Sequence, residues 1–211
     1  KDKGAFYTPK EIVRYMCQES LIAYLETNTS IAKEKIRNFV LSPDEGIADI
    51  SEKWRCSLIK ALENVKICDP AIGSGAFPMG LLNELLHCRQ ALMYTDNKTT
   101  SSPNPVPVPV PTSQIKKSII QNNIYGVDIE KGAVDIARLR FWLSIVVDEE
   151  EASPLPNLDY KIMQGNSLIE SYKGLDLSKL TYAKKSGGHI SQYSIFEDDT
   201  KQLQREVTQL L

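Results

Sequence analysis

The fold of this chain is decided by the stretch VKICDPAIGSGAF, which occupies residues 65–77. Its first five residues predict a short β-strand that ends in the acid Asp69. The glycine-rich turn Gly73-Ser74-Gly75 follows, and a leucine-rich helical pattern then runs over residues 76–94. A strand, a glycine turn and a helix in this order are typical of the opening of a doubly wound α/β sheet.

Two later segments predict further strands of the same sheet. Residues 123–128 end in Asp128, and residues 160–164 lead into a turn that contains Asn166. Helical patterns over residues 113–122 and 130–147 lie before and after the second strand. The later helix carries an apolar face of four residues: Ile136, Leu139, Leu143 and Val146. Ligands of open α/β sheets bind outside the carboxyl ends of the strands, so we expect a binding site at this edge.

The residues at these strand ends indicate a cofactor that contains a nucleoside. Glycine at the turn lets the backbone approach a ligand closely, and the carboxylate of Asp128 can accept hydrogen bonds from both ribose hydroxyls. A dinucleotide site needs a third glycine, but Pro78 follows this turn, and no Walker lysine follows the glycines. Asp69 suits a cationic α-ammonium group, which favours S-adenosylmethionine over a dinucleotide.

The residues before the sheet predict an N-terminal helical segment over residues 1–64. Its first helix is expected to begin with a capping box, in which Thr8 caps the helix, Pro9 takes the first helical position and Glu11 reaches back. The predicted apolar stripe of this helix consists of Ile12, Tyr15, Met16, Leu21, Ile22 and Leu25. A second helical pattern covers residues 51–64.

The remainder, residues 65–211, is interpreted as the sheet part, with a proline-rich inserted loop at residues 95–113. Lys116 and Lys117 are expected to be solvated, and the acids from Asp148 onward to leave their helix end solvated or frayed. Lys1 is not a natural initiator and residues 202–211 resemble a helix in mid-course, so we expect a piece of a longer protein.

The composition and charge of the chain exclude several classes of protein. The 211 residues are 42% hydrophobic and 25% charged, which is ordinary for a soluble globular protein. The net charge of −2 argues against a domain that grips many phosphates by itself. No apolar run approaches a membrane span and no signal peptide opens the chain, so a cytoplasmic location is expected. The four scattered cysteines contain no CxxC pair, which predicts reduced thiols and no metal site.

Four motifs together resemble a known family. GAFYTP at residues 4–9, DPAIGSGAF at 69–77, GVDI at 126–129 and GNSL at 165–168 are similar, in this order, to motifs X, I, II and III of the gamma-arranged N6-adenine DNA methyltransferases. The resemblance is closest to those fused into type IIG restriction-modification enzymes. It implies a Rossmann-like S-adenosylmethionine-dependent methyltransferase sheet, incomplete in this chain, with the N-terminal helical segment beside it.

The resemblance also implies cofactor roles for individual residues. Phe6, Tyr7 and Thr8 would border the methionine part of S-adenosylmethionine, and Asp69, Ala71 and Gly73 its ammonium and homocysteine part. Asp128 would hold the ribose, Ile129 would pack on the adenine ring, and Asn166 would meet the adenine amino group. The remaining members of the implied cofactor-binding set are Ser74, Gly75 and Ser167.

The family's catalytic motif, Asn-Pro-Pro-aromatic, has no counterpart here, since Asn104-Pro105-Val106-Pro107 lacks both the proline pair and the aromatic residue. We therefore expect no catalytic residue in this chain, which would supply only the cofactor-binding half of a DNA methyltransferase. Double-stranded DNA would be bound through other parts of the parent protein. Two alternatives stay open: a methyltransferase acting on protein or RNA, and a non-catalytic nucleotide-binding module of the same fold.

Overall fold

The structure is a computed structural model that describes residues 8–99, 110–149, 153–172 and 175–176. Phe6, Tyr7 and the decoy sequence at residues 104–107 lie outside the described residues, as does the predicted C-terminal helix at 202–211. Residues 169–211 form a compact unit separate from residues 1–168. The described part of that unit is a two-stranded antiparallel hairpin, β4 (Ser171–Tyr172) and β5 (Leu175–Asp176).

The larger unit begins with helices and continues into a parallel sheet. The helical segment contains α1 (Lys10–Asn28), α2 (Lys33–Leu41), α3 (Pro43–Gly46), a 3-10 turn (Ile47–Asp49) and α4 (Glu52–Asn64). The sheet part contains β1 (Ile67–Asp69), α5 (Ala76–Thr99), α6 (Thr112–Asn122), β2 (Ile124–Asp128), α7 (Lys131–Val146) and β3 (Ile162–Gln164). Among the described residues, no helix is long and apolar enough to cross a membrane.

The three predicted strands form one parallel sheet in the order β1-β2-β3. Asp69 is in register with Gly126, and Asp128 with Gln164, so the three carboxyl ends lie at one edge. Ile124 and Ile162 are buried and belong to the hydrophobic core. The mixed α/β architecture with a parallel sheet confirms the coarse fold class predicted from the sequence, and it is compatible with a methyltransferase-like fold.

One hydrophobic core joins the N-terminal helices to the helices of the sheet part. Phe39 of α2 and Phe141 of α7 are its largest fully buried side chains, and leucines of α1, α4 and α5 are fully buried in the same core. The sheet edge is therefore held by a continuous apolar interior, which fixes the strand ends relative to α1.

The predicted capping box at the start of α1 is wrong. Pro9 occupies the cap position with extended backbone, and no side chain caps the helix. Thr8 therefore lies one residue outside the helix, and Glu11 lies one residue short of the position that a capping box requires. The first helical carbonyl bond runs instead from the Val13 N–H to the Pro9 carbonyl oxygen at 3.0 Å.

The first half of the predicted apolar stripe of α1 is also wrong. Its members Ile12, Tyr15 and Met16 are exposed, whereas Val13 and Cys17 are buried. The reason is a close approach to α5 at Gly80. A Cβ at Gly80 would lie 2.8 Å from the Cys17 sulfur and 2.9 Å from a Val13 methyl carbon. Because Gly80 has no side chain, Val13 and Cys17 can pack against α5 there, and this contact determines which face of α1 is buried.

The apolar face predicted for α7 is wrong in the same way. Its four residues, at positions 136, 139, 143 and 146, are each about half exposed. The buried face consists of Val134, Ala137, Phe141 and Ile145. α7 is apolar on nearly all sides, so periodicity does not single out one face. The small side chain of Ala137 fits against the glycine turn and fixes the rotation of the helix.

The residues that follow α7 form ion pairs with α6, although the sequence predicted that they would be solvated. The Lys116 Nζ lies 2.5 Å from a carboxylate oxygen of Asp148, and the Lys117 Nζ lies 2.6 Å from a carboxylate oxygen of Glu149. The lysines of α6 thus offset the unfavourable interaction of these acids with the carboxyl end of α7. The prediction of solvated lysines and a frayed helix end is therefore wrong.

The predicted loop at residues 95–113 is helical at both ends. α5 continues to Thr99, and α6 begins at Thr112 directly after Pro111. Residues 95–99 contain neither proline nor glycine, so nothing in their sequence stops the preceding helix. Residues 100–109, which carry four of the prolines, lie outside the described residues.

Candidate cofactor site

The glycine turn after β1 is the centre of the candidate site. Gly73 and Gly75 have φ angles of +52° and +82°, in the left-handed region that residues with a Cβ rarely adopt. The Ile72 N–H donates to the Val127 carbonyl oxygen at 2.9 Å, and the Gly75 N–H donates to the Ile72 carbonyl oxygen at 2.8 Å. The turn is thereby fixed to β2, where Ile72 packs over the bare backbone of Gly126.

The two glycines have different surroundings. A Cβ at Gly75 would lie 3.4 Å from the Cβ of Ala137, so α7 backs the turn on that side. A Cβ at Gly73 would meet nothing within 4 Å, so the turn faces open space there. The open side is the side from which a ligand can reach the backbone.

Asp128 joins the end of β2 to this turn. One carboxylate oxygen accepts the Gly73 N–H at 2.8 Å, and the other accepts the Glu130 N–H at 2.9 Å. A carboxylate offers about four lone-pair sites, so acceptor capacity remains for a ribose diol. The structure thus brings together two of the predicted site residues, Gly73 and Asp128, which are 55 positions apart in sequence.

Asp69 supplies a second carboxylate at the neighbouring strand end. One of its oxygens accepts the N–H of Ala71 at 3.1 Å, which forms a local turn, and Ala71 itself is exposed. Within the described part of the chain neither Asp69 nor Asp128 belongs to an ion pair. Two uncompensated carboxylates at one sheet edge favour a ligand that carries positive charge.

The turn after β3 contacts the same edge. The Ser167 hydroxyl donates to the Pro70 carbonyl oxygen at 2.7 Å, which ties this turn to the glycine turn. The side-chain oxygen of Asn166 accepts the Leu168 N–H at 3.0 Å, so it is used in a local turn. The Gln164 amide donates to the Ile129 carbonyl oxygen at 3.2 Å, and the Ile129 side chain is 65% exposed.

A cavity of about 250 Å³ separates α1 from the end of β1. Met16 and Ser20 line it from α1, and Asp69, Pro70 and Phe77 line it from the sheet part. Thr8, the described residue of the first motif, is exposed and precedes α1. The N-terminal helix therefore borders the carboxyl end of β1, but among the described residues no hydrogen bond joins Thr8 to the glycine turn.

Cys17, which lines the cavity, is not a nucleophile. Burial, with a smaller contribution from Glu84, raises the pKa of the Cys17 thiol to about 11, so it stays protonated at neutral pH. In the part of the chain that the structure describes, no group of three or more His, Cys, Asp or Glu side chains could hold a metal ion. The groups that this edge offers to a ligand include the backbone of the glycine turn and the carboxylates of Asp69 and Asp128.

A buried polar network connects the start of β2 to the end of α4. Asn123, which is fully buried, donates to the carbonyl oxygens of Val65 at 2.7 Å and Glu63 at 3.0 Å. Its side-chain oxygen accepts a 2.9 Å bond from Arg89, whose pKa is lowered by burial. This network satisfies the last carbonyls of α4 and fixes the start of β2 beside β1.

Sequence reasoning missed two residues that contact the site. Arg140 donates to the Ser74 carbonyl oxygen at 2.7 Å, and Gln164 holds the backbone that follows Asp128. Neither belongs to a motif, and Arg140 is 66 positions from its partner. The sequence carries no local signal for such a contact.

The fold and the candidate site define an α/β protein with a parallel sheet, a glycine turn after its first strand and acids at two strand ends, an arrangement typical of ligand sites in open α/β sheets. Residues 122–209 match the family described as Eco57I restriction-modification methylase. The chain is 34% identical over 199 residues to the "Putative type II restriction enzyme and methyltransferase RM.MjaORFECS2P" of Methanocaldococcus jannaschii. It is 28% identical over 151 residues to the type II restriction enzyme and methyltransferase RM.Eco57I of Escherichia coli.

These matches confirm the resemblance found in the sequence: the chain is a relative of the Eco57I-type restriction-modification methylases. The first alignment covers 85% of this chain and 16% of the relative, and the second covers 69% and 14%. The chain thus spans about a sixth or less of the length of the curated relatives it matches.

Proposed function

We propose that this chain supplies the S-adenosylmethionine-binding half of a site-specific DNA adenine-N6 methyltransferase of a restriction-modification system. The sheet would be part of a Rossmann-like methyltransferase domain that acts on DNA in the cytoplasm. The observation that carries the proposal is the 2.8 Å bond between Gly73 and Asp128, which unites the glycine turn with the acid at the end of β2.

The residues fit this cofactor in charge and shape. Asp69 and Asp128 offset the positive charge of the ammonium and sulfonium groups, and the remaining acceptor sites of Asp128 suit the ribose hydroxyls. Gly73 leaves space for the methionine part, since nothing lies within 4 Å of its missing Cβ. The exposed side chain of Ile129 offers an apolar surface to the adenine ring.

The remaining assignments follow the family resemblance. Phe6, Tyr7 and Thr8 would border the methionine part, and Ala71, Ser74 and Gly75 would complete the turn that receives it. Ser167 orders the turn that carries Asn166 by binding the Pro70 carbonyl oxygen. Asn166 would exchange its bond to Leu168 for the adenine amino group, or share its oxygen between the two donors.

The bound cofactor supplies the methyl group for transfer to the exocyclic nitrogen of adenine. This chain orients that group by fixing the methionine and ribose parts at neighbouring strand ends, and such positioning accounts for much of the rate of in-line transfer. The catalytic motif and the DNA-reading surface would lie in the rest of the parent protein. The names of both relatives favour DNA as the substrate over protein or RNA, and over a non-catalytic module.

Calorimetric titration of the 211-residue chain with S-adenosylmethionine tests the proposal. We expect saturable one-site binding in the micromolar range, about −8 kcal/mol. The variant Asp128→Ala should lose it, while Asp135→Ala, which removes an exposed acid from α7, should bind like the wild type. A folded chain that binds no cofactor at millimolar concentration would overturn the proposal, and methylation of DNA by the chain alone would refute its assignment as one half.

A further inference from the structure

We infer that Arg140 is a positioning residue that holds the glycine turn in the shape that receives the methionine part of the cofactor. The inference rests on the proposed function, because it assigns a role within the same site. It comes from a contact that no motif contains, between α7 and the carbonyl group at the centre of the turn.

The contact is a short hydrogen bond from a charged donor. The Arg140 Nη1 donates to the Ser74 carbonyl oxygen at 2.7 Å and approaches the Ser74 hydroxyl oxygen at 3.4 Å. A hydrogen bond from a charged donor is stronger than one between neutral groups. In the described residues Arg140 makes no ion pair, so this bond is the main interaction of its guanidinium group.

With the bond from Arg140, each residue of the turn from Ile72 to Gly75 has a backbone group held by a hydrogen bond. The N–H groups of Ile72, Gly73 and Gly75 are each held by a partner from the sheet or from the turn itself. The Ser74 carbonyl is held by Arg140. Because the peptide group between Ser74 and Gly75 is planar, fixing this oxygen also fixes the direction of the Gly75 N–H.

Glycine makes such an anchor necessary. Gly73 and Gly75 flank Ser74, both have positive φ angles, and glycine has more backbone freedom to lose than any other residue. A turn that samples several shapes binds its ligand only in the fraction of molecules that have the correct one. Arg140 raises that fraction, so its effect belongs to cofactor affinity.

The position of Arg140 on α7 links the two halves of the site. The same helix backs the turn through Ala137 and begins shortly after Asp128, which accepts the Gly73 N–H. Asp128 and Arg140 therefore hold the turn at adjacent residues, one through an N–H and the other through a carbonyl. The arginine side chain is exposed, so its removal should cost the fold little.

The test compares Arg140→Met, Arg140→Lys and the wild type by calorimetric titration with two ligands. S-adenosylmethionine contains the methionine part, and 5′-methylthioadenosine lacks the amino acid. Arg140→Met should weaken S-adenosylmethionine binding about tenfold, the equivalent of one hydrogen bond to a charged group, and change methylthioadenosine binding less than about twofold. Arg140→Lys keeps a charged donor and should recover most of the affinity. Lys60→Met removes one exposed positive charge from α4 and serves as the control for net charge.

Thermal unfolding of the same variants separates positioning from folding, and all should melt within about 2 °C of the wild type, since an exposed contact contributes little to stability. Equal affinity of Arg140→Met and wild type for S-adenosylmethionine would overturn the inference alone. Equal losses for both ligands together with a lowered melting temperature would also overturn it, because they indicate a structural role. A wild-type chain that binds neither ligand would overturn the proposed function, and this inference with it.

Discussion

Replacement of Asp128 by alanine should destabilise the fold even without cofactor. The substitution removes two acceptors, one for the Gly73 N–H at 2.8 Å and one for the Glu130 N–H at 2.9 Å. The Glu130 N–H is exposed and can bind water instead, so its loss should cost little. The Gly73 N–H is part-buried, and its lost partner should dominate the change in stability.

The expected loss in the free energy of unfolding is that of one charge-assisted hydrogen bond. Such a bond contributes about 1.5–3 kcal/mol when its partner is removed, so we expect Asp128→Ala to lower the free energy of unfolding by about 2 kcal/mol. For a chain of this size that corresponds to a melting temperature lower by about 4–8 °C. Asp128→Asn keeps an acceptor that can face Gly73, so it should retain more than half of this stability.

Urea unfolding followed by circular dichroism measures the effect as a shift of the midpoint at constant slope. Asp135→Ala serves as the matched control, since this exposed acid of α7 makes no hydrogen bond in the described part of the chain. Two results would contradict this prediction: Asp128→Ala as stable as Asp135→Ala, or Asp128→Asn as destabilised as Asp128→Ala. Either result would show that the bond to Gly73 does not hold the turn.

Three further predictions concern packing, pH and thiols. Gly126→Ala should cost about 1–3 kcal/mol by overpacking, because its Cβ would lie 2.3 Å from an Ile72 methyl carbon, and urea unfolding measures the loss. A hydrogen bond from Lys117 lowers the pKa of Glu149 below its ordinary 4.5, so the stability it contributes is present above pH 4.5 and is lost as the pH falls through the lowered value. The difference in melting temperature between wild type and Lys117→Met should therefore shrink in acid, and a difference independent of pH would contradict this. Cys56 and Cys68 are exposed, whereas Cys17 and Cys88 are buried. With a thiol reagent at pH 8, the exposed pair should therefore react quickly and the buried pair only after unfolding. Rapid reaction of all four thiols in the folded chain would contradict this packing.

The strands and the glycine turn were predictable because their signals are local. Each strand is a short apolar run that ends in a polar residue, and Gly73 and Gly75 occur where the backbone needs positive φ angles. The sequence predicted Gly73 and Asp128 at one edge of the sheet, since parallel strands have their carboxyl ends at the same edge, but it did not predict the bond between them. Local pattern and topology thus sufficed to place these residues at one edge of the sheet.

Most of the wrong predictions concern helix faces and distant partners. Gly80 in α5 determines that Val13 of α1 turns inward, and nothing in the sequence of α1 reveals that contact. Lys116 of α6 meets Asp148, which lies just beyond the end of α7, and Arg140 meets Ser74 across 66 positions. Such contacts depend on how whole helices are rotated and packed, which one sequence does not specify locally.

Hydrogen–deuterium exchange of the chain with and without S-adenosylmethionine locates the cofactor on the molecule. We expect slower exchange in the backbone of residues 69–77 and 128–131 on addition of cofactor, with no change in α2. Protection confined to the second cavity, which Arg89 and Leu92 line between α4, α5 and α6, would place the ligand elsewhere. That outcome, or no protection in any segment, would contradict a cofactor site at the carboxyl ends of the sheet.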